Sequence, residues 1–179
     1  MDFNHIQFHV ERPNAVLRVT GSDALSFLQG QFTNDLRLPV GSVVYGLWLN
    51  QKGKVLADGH ALRLAENEFV LVSMYSAAEV VRQRLENYIV ADDVTVTDET
   101  GKWRGLGVLG PGAGRRLQES LGVQPVEGAF AQTNGGWLFP IRRGSAEGFE
   151  LVGSEEAVAG WQARLLAAGF RAADREEME

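Results

Sequence analysis

The chain has 179 residues, 45% apolar and 22% charged, enough for one large or two small cored domains and unlike a disordered chain. Seventeen Lys and Arg against 23 Asp and Glu give a formal net charge of −6, so no direct nucleic-acid partner is expected. The absence of cysteine excludes disulfides, thiolate nucleophiles and cysteine-bound metal within these residues.

Ile6, Phe8 and Val10 alternate with polar residues and predict a strand, after which Pro13-Asn14 turns the chain. Ala15 to Thr20 is a second strand. A helix follows from Gly21-Ser22-Asp23, with Ser22 or Asp23 as its cap and Gly30 as its end. Gln31 to Asp35 is expected to add a short helical turn. Val43 to Asp58 reads as two strands joined by a tight turn at Asn50-Gln51-Lys52-Gly53, where Gly53 takes positive φ. The second strand extends through Ala61 to Leu64, and Phe69 to Ser73 forms another.

Ser76-Ala77-Ala78-Glu79 fits a capping box opening a helix with Val80, Val81, Leu85 and Tyr88 at helical spacing. Val94 and Val96 mark the next strand, and Trp103 to Leu109 another. Gly110-Pro111-Gly112-Ala113-Gly114 leads into a helix ended by Gly122. Val123 to Gly136 reads as loop, Trp137 to Ile141 and Phe149 to Val152 as strands, and a helix capped by Ser154 runs to Gly169. The tail from Ala172 looks like the start of a further helix. Adjacent strands joined by turns predict an α+β fold with antiparallel or mixed sheets and flanking helices.

Each candidate for chemistry has a plain structural alternative. The glycine-rich entry at Gly110 to Gly114 lacks the Lys and Ser/Thr of a phosphate loop and reads as a helix start. His5 and His9 share a strand face but have no evident third ligand, so no metal site is expected. Arg142-Arg143 is either a solvated turn or a carboxylate clamp. Asp58, an acid among small and apolar strand neighbours, is either a solvated edge residue or, with Tyr45 and Trp48 nearby, half of a site for a flat heterocycle. The residues alone leave both readings open. There is no signal-peptide pattern in MDFNHIQFHVERPN and no bilayer-length apolar run, so a soluble, cytoplasmic protein without membrane contact is expected.

The run VTGSDALSFLQGQFTNDL, followed by VVYGLWLNQKGKVLAD, VLGPGAGRRL and GFEL, resembles the folate-binding YgfZ-type proteins and their relative, the glycine-cleavage T-protein (aminomethyltransferase). The likeness covers nearly the whole chain, and the Phe-Leu-Gln-Gly-Gln-x-Thr-Asn-Asp run favours the YgfZ branch. It implies two ferredoxin-like subdomains of the T-protein fold enclosing a folate cleft. The first is expected from residues 1–50 together with about 145–179, and the second from 51–144. The T-protein's catalytic aspartate corresponds to Asp58, its neighbouring aspartate to Ala57, and its cleft tyrosine to Tyr45. A pterin-binding asparagine is replaced by Met74. The folate-binding loop is shortened to Arg142 through Gly148, with Glu147 as the remaining substitute for its glutamate.

The cofactor implied is tetrahydrofolate or a one-carbon derivative, with Tyr45, Trp48, Asp58, Met74, Arg142 and Glu147 as candidate contacts. The first functional expectation is a YgfZ-type folate-binding protein in iron–sulfur cluster assembly or repair, linked to tRNA modification through client enzymes. The second is an aminomethyltransferase working with a lipoylated carrier protein, with Asp58 catalytic. The third is an interaction module that keeps the fold without the folate site. The YgfZ motif Lys-Gly-Cys-x-x-Gly-Gln-Glu and the family's C-terminal barrel do not occur in this sequence, so a shortened member is expected.

Overall fold

The computed structural model describes residues 5–143 and 146–173, with 142, 143 and 146 described by backbone alone. In chain order its elements are β1 (Gln7–Glu11), β2 (Ala15–Thr20), α1 (Ala24–Gln31), β3 (Val43–Leu49), β4 (Val55–Ala65), β5 (Glu68–Ser73), α2 (Ala78–Glu86) and β6 (Thr95–Asp98). They continue as β7 (Arg104–Leu109), α3 (Ala113–Leu121), β8 (Ala131–Thr133), β9 (Gly136–Arg143), β10 (Ala146–Gly153), α4 (Glu155–Ala167) and β11 (Arg171–Ala172). The fold is α+β. The helix expected from Ala172 does not begin there, since Ala172 belongs to β11, paired with Phe8 of β1; its continuation from residue 174 lies outside the described residues.

Two units divide the chain: Pro13–Gly101, and Met1–Arg12 with Lys102–Glu179. These boundaries differ from the expected ones near 50 and 144, for a reason visible in the ladders. A cut at 50 would sever β3 from β4, which pair from Val43↔Leu62 to Leu49↔Val55. A cut at 144 would part β9 from β10, paired from Gly136↔Gly153 to Arg143↔Ala146.

Pro13–Gly101 carries a five-stranded antiparallel sheet in the order β3-β4-β5-β2-β6. Strand alternation puts Leu17, Val19, Trp48, Ala57, Ala61, Phe69 and Leu71 on one face. There they meet Ala24, Phe27 and Leu28 of α1 and Ala78, Val81 and Leu85 of α2. Each buried side chain of Leu or Phe size contributes about 1.5–3 kcal/mol. Val80 and Tyr88, expected on the inner face of α2, point outward; the three-and-four spacing from Ala78 to Val81 and Leu85 sets the buried stripe.

The second unit carries a six-stranded sheet in the order β11-β1-β7-β10-β9-β8, in which β1 and β11 run parallel and the other pairs antiparallel. Its core joins Phe8, Leu106, Val108, Leu138, Phe149 and Leu151 to Leu117 and Leu121 of α3 and Val158, Trp161 and Leu165 of α4. Gly122 closes α3 at φ +75°, a left-handed position that glycine takes without a Cβ clash. The Ser154 side chain caps α4, accepting from the Ala157 N–H at 3.1 Å. No helix among the described residues is long and apolar enough to cross a membrane.

Other cap residues have different duties from those the sequence suggested. Gly30 lies inside α1, which runs on to Gln31. Ser22 and Asp23 tether the chain near Asp93: the Ser22 N–H and hydroxyl both donate to Asp93 Oδ2, and the Asp93 N–H donates to Asp23 Oδ2. Residues 32–35 are not helical. Thr33 and Asn34 instead serve β3 at the edge of the sheet, where Thr33 Oγ1 accepts from the Leu47 N–H at 2.8 Å and Asn34 Nδ2 donates to the Tyr45 carbonyl at 3.1 Å. An edge strand leaves backbone groups unpaired, and these side chains satisfy them.

Candidate functional site

The β3–β4 hairpin forms as its sequence predicts. Gly53 takes φ +74°, its N–H donates to the Asn50 carbonyl at 2.9 Å, and Asn50 Oδ1 accepts from the Lys52 and Lys54 N–H groups. Two-residue alternation then separates the candidate residues. Leu47 pairs with Asp58 and Tyr45 with His60, placing all four on the face opposite the helices. Trp48 pairs with Ala57 on the helix-covered face, is 1% exposed, and lies 4.8 Å from Phe32 between ring centroids. The expectation that Trp48 lines a ligand site is therefore corrected: its indole is core.

Asp58 is partly buried and held from three sides. Ser76 Oγ donates to Asp58 Oδ1 at 2.6 Å and accepts from the Asp58 N–H at 2.9 Å. Ser73 Oγ donates to the same Oδ1 at 3.4 Å, while accepting from the N–H groups of Tyr75 and Ser76. The Tyr45 hydroxyl donates to Oδ2 at 3.2 Å. Among the described residues no Lys or Arg pairs with this carboxylate.

The local fold explains the arrangement. The β4–β5 ladder ends at His60↔Val72, and continuing its register would set Met74 opposite Asp58. The chain instead turns after Ser73, so the Asp58 N–H finds a serine hydroxyl where a strand carbonyl would have been. Ser76, which resembled the first residue of a capping box, is committed to Asp58. The N-cap of α2 is Ala77, without a side-chain cap.

Around the acid the face is mixed. Leu62, Val70 and Val72 are buried, while Tyr45 is 51% exposed, Tyr75 51% and Leu56 42%. The Tyr45 ring lies 5.1 Å from His60 between centroids, tilted by 56°. Burial pushes the Tyr45 phenol above its ordinary range, and the Asp58 carboxylate, their hydrogen bond and Tyr75 add to that. A phenol is protonated at neutral pH even at its ordinary value, so the Tyr45 hydroxyl is a donor there. The result is a fixed carboxylate with one well-held oxygen and one loosely held oxygen, flanked by reachable aromatic rings.

The remaining candidates are placed elsewhere. Met74 is buried, at 8% exposure. Arg142 pairs through its backbone with Glu147 in the β9–β10 hairpin, and its side chain lies outside the described residues. Glu147 Oε1 accepts from the Gly114 N–H at 3.2 Å, in the first turn of α3, where an anion is favoured. A carboxylate of the chain itself therefore serves the glycine-rich helix entry.

Residues 13–140 match the family model for the GCVT N-terminal domain, and the chain belongs to that family. Among curated relatives, an aminomethyltransferase from Exiguobacterium sibiricum is 31% identical over 160 residues, which cover 84% of this chain and 44% of that protein. Sarcosine oxidase subunit alpha from Rhizobium meliloti is 34% identical over 119 residues, 64% of this chain and 12% of that protein. The chain thus spans less than half the length of either relative. Among solved structures, the glycine cleavage system aminomethyltransferase T from Bartonella henselae superposes with TM-score 0.76 at 22% identity, over 90% of this chain and 45% of that one. A heterotetrameric sarcosine oxidase from Corynebacterium gives TM-score 0.66 at 18% identity, over 94% of this chain and 87% of that one. Both share the fold.

Proposed function

We propose that this chain binds a tetrahydrofolate-type cofactor through Asp58. The observation that carries the reading is the Asp58 carboxylate itself: partly buried, unpaired with any cation among the described residues, and anchored through Oδ1 by two serines. Its Oδ2 holds only a 3.2 Å bond from an exposed tyrosine. A reduced pterin is flat and rich in N–H donors, and an acceptor-only carboxylate beside aromatic rings fits both properties. Of the two aromatic candidates, Tyr45 would supply the platform, since Trp48 is core. Met74 would line the pocket without a polar contact. When bound, tetrahydrofolate supplies a nitrogen that accepts a one-carbon unit; the chain's part is to bind and orient it.

Within this reading, the Phe-Leu-Gln-Gly-Gln-Phe-Thr-Asn-Asp run supports a YgfZ-type protein of iron–sulfur cluster assembly, acting on tRNA modification only through client enzymes in the cytoplasm. A second reading, aminomethyltransferase with a lipoylated carrier, is favoured by the relatives of that name. Calorimetric titration with tetrahydrofolate tests the first reading. Saturable binding that Asp58→Asn weakens by about tenfold or more is expected, since a hydrogen bond to a charged group is worth about 1.5–3 kcal/mol. No saturable heat, or equal binding by the variant, contradicts it. Folate-dependent ammonia release from a methylamine-loaded lipoyl carrier would favour the second reading.

A further inference from the structure

We infer that Ser76 is a positioning residue: it locks Oδ1 of Asp58 so that Oδ2 alone faces the ligand, and Tyr45 holds that oxygen until a ligand N–H displaces its hydroxyl. The inference rests on the folate reading for the identity of the ligand, but its geometry is independent of it. Ser76 grips Asp58 twice, donating to Oδ1 at 2.6 Å and accepting from the same residue's N–H at 2.9 Å. Ser73 adds a longer bond to Oδ1 and also accepts the Ser76 N–H at 2.8 Å, which steadies the serine that steadies the acid. All the short bonding is therefore spent on one carboxylate oxygen.

The other oxygen differs in kind. Its partner is a phenol on a half-exposed ring at 3.2 Å, long for an O–H···O bond. Such a donor is displaced more cheaply than a buried 2.6 Å one, because its hydroxyl can turn to water. A ligand competing for Oδ2 must itself donate a hydrogen. The site thus selects a donor nitrogen and rejects a carbonyl or phosphate oxygen at this position, where two acceptors would face each other. Ser76 acts through Asp58 and does not touch the ligand.

Two readouts test this on the full chain. In tetrahydrofolate titrations, Ser76→Ala should weaken binding about tenfold, because a misplaced Asp58 forfeits its own charged hydrogen bond to the ligand, and Ser76→Thr, which keeps the hydroxyl, should restore most of it. In the free protein, the Tyr45 phenol is followed by carbon NMR of labelled tyrosine through an alkaline titration. Its midpoint should fall in Ser76→Ala toward that of Asp58→Asn, because the unlocked carboxylate no longer stays against the phenol, and should recover in Ser76→Thr. If Ser76→Ala does not fold, the same titration in Ser73→Ala and Ser76→Thr decides, with a smaller fall in the first and none in the second. An unchanged or raised midpoint in Ser76→Ala, or in Ser73→Ala where that variant decides, overturns the inference. If the midpoint falls as expected while wild type binds no tetrahydrofolate, the positioning role stands and the folate reading fails.

Discussion

Replacing Gly46 with alanine probes the strand that presents Tyr45. A Cβ at Gly46 would lie 2.5 and 2.6 Å from two ring carbons of Phe32, when ordinary contact begins near 3.4 Å, so the ring must retreat by about 0.9 Å. It has little room to do so, being 7% exposed and packed on Trp48, itself 1% exposed. Overpacking of this kind costs about 1–3 kcal/mol, offset by about 0.4–1 kcal/mol from the less flexible unfolded chain. A net loss of about 1–2 kcal/mol is expected. Urea unfolding followed by fluorine NMR of fluorotryptophan reads it locally, since Trp48 is the one tryptophan in Pro13–Gly101. In a Phe32→Leu background the ring carbons are gone, and Gly46→Ala should then cost less than about 0.5 kcal/mol, revealing coupling. Strict additivity, or no loss in the single variant, would refute the packing argument.

Ser154→Ala should destabilise the unit containing α4 by about 1 kcal/mol in denaturant titrations, because the Ala157 N–H loses its cap. Thr33→Val should cost about 1 kcal/mol and raise hydrogen exchange at the Leu47 amide, whose acceptor it removes. The Tyr45 phenol titrates above its unfolded value of 10.0, because burial and then Asp58 disfavour the phenolate. The folded state thus holds the proton more tightly: this stabilisation is full below pH 10 and is lost as the pH rises through the folded value. Stability measured between pH 9 and 12 should therefore fall more steeply in wild type than in Tyr45→Phe, and parallel curves would contradict the assignment.

Local pattern was enough to read the central hairpin, because Asn50 to Gly53 is a turn by its own chemistry and the alternation on both sides agrees with it. The same alternation already separated Trp48 from Tyr45, yet it could not say which face the helices would cover. Ser76 shows a different limit. A serine three residues before a glutamate suits a helix cap and suits an acid on a neighbouring strand equally well, and the β4–β5 register decides between them. Thr33 and Asn34 were legible as hydrogen-bonding residues but not as servants of the edge strand that follows them, because their own sequence does not say which strand will lie at the sheet edge. Nor does any periodic rule announce that His9, Glu11 and Glu150 are buried, with His9 Nε2 3.0 Å from Glu11 Oε1. The imidazole lies over Gly107, where a Cβ would come within 2.8 Å of His9 Cε1, so the polar face of β1 depends on a glycine in its partner strand.

The most direct measurement is a crystal structure of the chain grown with tetrahydrofolate. A pterin nitrogen is expected within hydrogen-bond distance of Asp58 Oδ2, with the Tyr45 hydroxyl displaced from it and the Ser76 bond to Oδ1 unchanged. A pterin bound away from Asp58, or an Asp58 still closed by Tyr45 at saturating folate, would contradict that expectation.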